Sequence, residues 1–169
     1  INFGIIYGMS AYGLSRELAL DPRVAQEYID GYFLKYRGVR AYLDGVLEQA
    51  RRQGYVATLM NRRRYLPEIK ATNVGVRKFA ERTAINAPIQ GTAADLIKIA
   101  MIRIAAALEK KKLTARMIIQ VHDELVFEAP EQELEILEKL VRDEMEGVIN
   151  LKVPLRVDIN RGNTWREAH

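Results

Sequence analysis

At 169 residues, 49% of them hydrophobic and 28% charged, the chain has the composition of an ordinary globular unit, able to bury a core and too apolar for a disordered segment. It has no cysteine, which excludes a disulfide framework, a zinc ribbon and a thiol nucleophile and fits a reducing compartment. The net charge is only +4, but residues 60–116 carry 13 Lys and Arg against 4 Asp and Glu, whereas 131–146 carry 2 against 7. One part of the surface should therefore attract polyanions, nucleic acid being the natural one, and another should repel them.

The apolar pattern has already begun at Ile1, with no initiator methionine and no secretory signal, which predicts a segment of a longer polypeptide. The longest apolar stretch, Ile97 to Leu108, is broken by Lys98 and Arg103. It falls short of the ~18 residues of a membrane span.

Ile1 to Tyr7 reads as the end of a helix with Phe3 and Tyr7 on one face, stopped by Gly8. Ser10 to Leu20 is a short amphipathic helix. Asp21 and Pro22 are a start signal, an N-cap followed by proline at the first helical position. The helix they open is expected to bury Val24, Tyr28 and a neighbour of Phe33 and to stop near Gly38. Val39 to Gln53 follows as another helix, with Gly54 as its C-terminal stop.

Tyr55 to Leu59 alternates like a strand, Met60-Asn61 is a turn, and Arg62-Arg63-Arg64-Tyr65 returns as far as Pro67. Guanidinium forks match phosphate oxygens, so Arg62, Arg63 and Arg64 suit a nucleic-acid backbone; pairing with nearby carboxylates suits them equally well. Asn73 to Ala84 is a helix exposing Arg77, Lys78 and Arg82. Proline removes a backbone donor and crowds the preceding turn, so Asn86-Ala87-Pro88 predicts a kink or junction. Ile89 to Leu108 then resumes as a helix apolar all round, hence a central core element. Arg82, Asn86 and Gln90 recur every four residues and form one polar row. On an exposed face such a row need do nothing; beside a core helix it suits base edges and sugars in a minor groove.

Ile118 to Phe127 reads as strand, tight polar turn and strand, with Met117, Ile119 and Val121 alternating with Ile118, Gln120 and His122. His122, Asp123 and Glu124 stand at the tip. Two neighbouring carboxylates are costly to crowd unless a cation joins them. Mg²⁺ often takes only one or two protein carboxylates together with substrate phosphates. The tip is thus a candidate magnesium post, with plain solvated turn residues as the alternative. Glu131 to Met145 is amphipathic, with Leu134, Leu137, Val141 and Met145 inward and the acidic residues in solvent. Val153, Leu155, Val157 and Ile159 alternate with polar residues as a last strand, and Trp165 docks the tail. The order of elements reads as α+β, helices against a small antiparallel sheet.

Four blocks then stand in one order: Ile1-Asn2-Phe3-Gly4-Ile5-Ile6-Tyr7-Gly8-Met9, Arg62-Arg63-Arg64-Tyr65-Leu66-Pro67, Ala84-Ile85-Asn86-Ala87-Pro88-Ile89-Gln90-Gly91-Thr92-Ala93-Ala94-Asp95, and Gln120-Val121-His122-Asp123-Glu124. Together they resemble, across essentially the whole chain, the C-terminal part of family A DNA polymerases of the bacterial DNA polymerase I type. The first block is similar to the second half of motif B and the last to motif C. The resemblance implies template-directed addition of deoxynucleotides to a primer 3′-hydroxyl with release of pyrophosphate. It also implies a fingers segment over 1–85 and a palm segment over 86–169.

Site roles follow from the same resemblance. Asp123 would be the second catalytic aspartate and a Mg²⁺ ligand, Glu124 would assist it, and His122 would lie near the primer end. Phe3 would pack under the incoming sugar, where Phe is the type that discriminates more strongly against chain terminators, and Tyr7 would guard the insertion site. Arg82, Asn86 and Gln90, with Arg62, Arg63 and Arg64, would hold primer-template DNA. Two Mg²⁺ ions and deoxynucleoside triphosphates are implied, in a bacterial cytoplasm close to the nucleoid and with no membrane.

Motif A, which supplies the partner aspartate, and the Arg and Lys that open motif B are not among the 169 residues. The chain is therefore expected to be incompetent without the missing N-terminal portion, present in cis or as a second chain. The alternatives are a duplex-binding remnant without chemistry, a phosphohydrolase using His122 and Asp123, and a scaffold whose carboxylates are only turn residues. The phosphohydrolase is disfavoured because the single other histidine is His169.

Overall fold

The computed structural model describes residues 2–168. Ile1, the first residue of the motif-B-like block, and His169 lie outside the described residues. The chain forms two compact units, Ile1–Thr92 and Ala93–His169. Its helices are α1 (Asn2–Ile6), α2 (Ala11–Leu18), α3 (Pro22–Lys35), α4 (Arg37–Gln53), α5 (Val74–Lys111), α6 (Leu134–Glu146) and α7 (Trp165–Ala168). Strands β1 (Tyr55–Ala57) and β2 (Arg63–Tyr65) make one antiparallel pair, β3 (Arg116–Val121) and β4 (Glu124–Glu128) another. The class is α+β, as expected, with two small sheets instead of one.

In the first unit the capping chemistry acts as the sequence indicates. Gly8, at φ 83, ends α1: its N–H bonds to the Ile5 carbonyl at 3.0 Å and that of Met9 to the Gly4 carbonyl at 2.8 Å, the paired bonds of a Schellman turn. Asp21 accepts from the Arg23 N–H at 2.7 Å with Pro22 behind it, and Gly54 closes α4 at φ 76. The helix opened by Asp21 ends at Lys35, and α4 restarts at Arg37.

The buried face of α3 differs from expectation. Ala25 and Ile29 are buried, whereas Val24 and Tyr28 are 40% and 59% exposed. The helix carries apolar residues on two adjoining stripes, and the core formed with Ile5 and Leu14 takes the one with the small residue. A second core gathers Val46, Ala50, Val56, Leu66, Ile69, Ala80 and Ala84 beneath the first hairpin.

Residues 74–111 form one helix of 38 residues that continues through Pro88. The break expected at Asn86-Ala87-Pro88 does not end the helix, and one turn on the buried Thr92 hydroxyl donates to the Pro88 carbonyl at 2.6 Å and accepts from the Leu59 N–H at 3.0 Å. Nor is the later part of α5 buried all round. Ile97, Ala100, Ile104 and Leu108 form a stripe at three- and four-residue spacing, while Ile102 is 70% exposed.

In the second unit that stripe packs with Leu137, Leu140, Val141 and Val148, and Met117, Leu125 and Phe127 lie against the same core. Leu134 and Met145, expected inward, are only half-buried, and Leu140, not among the residues expected inward, is buried. The acidic residues around α6 are not plain surface. Glu133 accepts from the Thr114 and Ala115 amides, Glu138 pairs with Arg161, and Glu146 with Arg142 and Arg156.

The last expected strand is absent as a strand. Leu155, Val157 and Ile159 are half-buried and their neighbours exposed, so the alternation is there. What is missing among the described residues is a backbone ladder. The Val157 N–H bonds instead to Glu146 at 3.0 Å and its carbonyl to Arg142 at 2.6 Å. Trp165 is 48% exposed and does not bury the tail.

Candidate active site and nucleic-acid face

The second hairpin presents the acidic tip. Val121 pairs with Glu124, leaving His122 and Asp123 as a two-residue turn, and all three tip residues are exposed. His122 has φ 53 while Asp123 does not share the positive sign, the pattern of a type II′ turn. Glycine is the ordinary residue at that first position, so histidine there is held against its preference. The side-chain amide of Gln120 donates to the His122 carbonyl at 2.6 Å.

The strand leading into this turn is not regular. Pairing passes from Met117–Phe127 directly to Ile119–Val126, so Ile118 is the extra residue of a bulge. The simple alternation expected across 117–122 fails there: Ile118 and Ile119 are both exposed, at 59% and 46%, and Gln120 stands opposite Leu125.

The chemistry of the donor set fits half a magnesium site. Asp123 and Glu124 are exposed and carry the hard carboxylate oxygens that Mg²⁺ prefers. Among the described residues no group of three or more His, Asp or Glu side chains is placed to hold a metal. Two ions would need further carboxylate or phosphate oxygens from outside residues 2–168.

In the first unit Phe3 and Tyr7 flank one helical turn, the Tyr7 N–H bonding to the Phe3 carbonyl at 2.9 Å. Phe3 is 77% exposed and Tyr7 half-buried, so both rings are available to a ligand. Gly8 lets this turn lie close to α5: a Cβ there would stand 3.5 Å from Arg82 Cγ and 3.8 Å from Ile85 Cδ1. Arg82, Asn86 and Gln90 fall on one continuous stretch of α5, Arg82 and Gln90 exposed and Asn86 half-buried. The Asn86 Oδ1 is buried with no hydrogen-bond partner among the described residues.

The three arginines of the first hairpin have separate surroundings. Arg62 donates to the Gly91 carbonyl of α5 at 2.9 Å, facing the protein. Arg63 lies 4.7 Å over the Tyr55 ring, and a hydrogen bond with Tyr65 is the chief cause that raises its pKa. Arg64 is exposed. Gly91 is what admits this arrangement, since a Cβ there would stand 2.6 Å from the Thr58 methyl. Neither the Arg62–Gly91 contact nor the Gln120 bond had a residue-type signal; both depend on turn geometry.

The model of DNA polymerase family A matches residues 1–167. DNA polymerase I of Bacillus subtilis (strain 168) is 54% identical over 168 residues, and that of Geobacillus stearothermophilus 51%, each match covering 99% of this chain. A solved complex described as the POL domain of Pol1 from M. smegmatis with DNA primer-template and dNTP superposes with a TM-score of 0.96 at 47% identity, covering 99% of this chain and 30% of that one. The chain belongs to DNA polymerase family A. It spans 19% of the length of the curated relatives named here. No helix among the described residues is long and apolar enough to cross a membrane.

Proposed function

We propose that this chain supplies part of the nucleotidyl-transfer site of a template-directed DNA polymerase, with residues 1–85 acting as fingers and 86–169 as palm. The observation that carries the reading is the exposed Asp123–Glu124 pair at a two-residue turn, in a chain matching the family over residues 1–167. Asp123 is the principal metal ligand, Glu124 its neighbour in the same shell, and His122 the residue beside the primer end. Phe3 offers an apolar wall to the sugar of the incoming deoxynucleoside triphosphate and Tyr7 limits the space at the templating base. Arg82, Asn86 and Gln90 read the minor groove of the primer-template, with Arg64 and Arg63 toward its phosphates. When bound, Mg²⁺ activates the primer hydroxyl and neutralises charge on the phosphates.

The remaining oxygen ligands come from the rest of the polypeptide or from a second chain, and the setting is the bacterial cytoplasm near the chromosome. The test is extension of a primed template in Mg²⁺ by the chain alone and by the chain joined to the remainder of the Bacillus subtilis relative. The joined protein should extend, the isolated chain should not. Asp123→Ala should reduce extension by on the order of a thousandfold, the scale of losing a principal transition-state stabiliser, with duplex affinity kept. Full extension by Asp123→Ala would sink the proposal. Duplex binding without extension by the joined wild type would favour a non-catalytic duplex-binding remnant.

A further inference from the structure

We propose that Gln120 is a positioning residue: its side-chain amide locks the central peptide of the His122–Asp123 turn and thereby fixes the direction of the Asp123 carboxylate. This rests on the reading of Asp123 as a metal ligand. Turns of types I′ and II′ share a positive φ at the first central residue and differ by a flip of the peptide between the two. Here His122 is at φ 53 and Asp123 stays outside the positive region. Flipping that peptide would carry Asp123 into positive φ and swing its side chain away from its present direction.

His122, Asp123 and Glu124 are all exposed, so burial of these side chains contributes little to the turn. The first central position of a type II′ turn favours glycine, and histidine carries no such preference. The 2.6 Å bond from Gln120 Nε2 to the His122 carbonyl engages the oxygen that must move if the peptide flips. The two-residue turn and the regular pairs Val121–Glu124 and Gln120–Leu125 set Gln120 two residues before the carbonyl it holds. Gln120 thus acts on the metal through the turn, touching neither metal nor substrate.

The experiment pairs Gln120→Met, which keeps length and loses the donor, with His122→Gly, which favours the same turn unaided. In the 169-residue chain, amide hydrogen exchange at Val121 to Leu125 should accelerate about fivefold in Gln120→Met, the factor of one ordinary hydrogen bond. It should return to within about twofold of the parent when His122→Gly is added, since the two changes act on one turn. In the protein joined to the remainder of the Bacillus subtilis relative, Gln120→Met should raise the Mg²⁺ concentration for half-maximal extension by about tenfold, as loss of a residue that orients a ligand does. KM for the nucleotide should be unchanged. Unaltered exchange overturns the clamp. Faster exchange with an unaltered Mg²⁺ requirement overturns the positioning role and leaves Asp123 as a ligand. Full extension by Asp123→Ala overturns both.

Discussion

Arg62, Arg63 and Arg64 are consecutive, yet one faces a helix carbonyl, one a tyrosine ring and one the solvent. Composition reports three equal cations; the pleat of β2 sends Arg63 and Arg64 to opposite faces, while Arg62, before the strand begins, turns to α5. Asn86 shows the converse, a residue whose type was legible and whose cost was not. Its Oδ1 is buried without a partner among the described residues, and such an orphan costs about 1–3 kcal/mol. Asn86→Leu is therefore expected to raise the melting temperature, by about 2–4 °C for each kcal/mol recovered, while weakening duplex binding. Calorimetry and a binding titration on the same variant check both halves. An equal or lower melting temperature would mean that the orphan is satisfied in solution.

The elements that the sequence announced plainly are those whose ends carry their own chemistry: Gly8, Asp21-Pro22 and Gly54 stop or start helices where expected. Elements decided by a distant partner were not legible. Pro88 announces a break through which the helix continues, and the alternation of 153–159 announces a strand whose ladder is lacking among the described residues. The approach of the first hairpin to α5 depends on Gly91, so Gly91→Ala should lower stability by about 1–3 kcal/mol through overpacking against Thr58. Denaturant unfolding reads it, and an unchanged midpoint would show that the hairpin can retreat freely.

Glu133 ties the start of β3 to the turn before α6. The Thr114 amide first, with the Ala115 amide and the Thr114 hydroxyl, holds its carboxyl below the usual value. A carboxyl that ionises more readily in the folded chain stabilises it fully above the unfolded pKa of about 4.3. That stabilisation is lost as the pH falls through the lower, folded pKa. Glu133→Gln should thus be less stable than the parent at pH 7 and converge with it under more acid conditions. A gap independent of pH would deny the carboxylate its part.

For the whole molecule, the uneven charge has a kinetic and thermodynamic meaning. Duplex binding should fall steeply with salt, as phosphate contacts release counterions. Arg64→Ala should weaken binding to all sequences alike and reduce the slope of log affinity against log salt by about 1, without altering stability. A slope unchanged from the parent would remove Arg64 from the phosphate contacts. The family was legible because four blocks stand in order over nearly the full length, a pattern no single hairpin could supply. The geometry of the acidic tip was not, because a bulge and a positive φ leave no mark in residue type.

The unladdered run from Leu151 to Asn160 also bears on handling the polypeptide by itself. Apart from Val157, which Glu146 and Arg142 engage, this run has no ladder among the described residues, and with Val153 75% exposed it is a template for a foreign strand. Association of the chain at high concentration is accordingly expected to run through that seam, and a companion strand lying along it should act as a solubiliser.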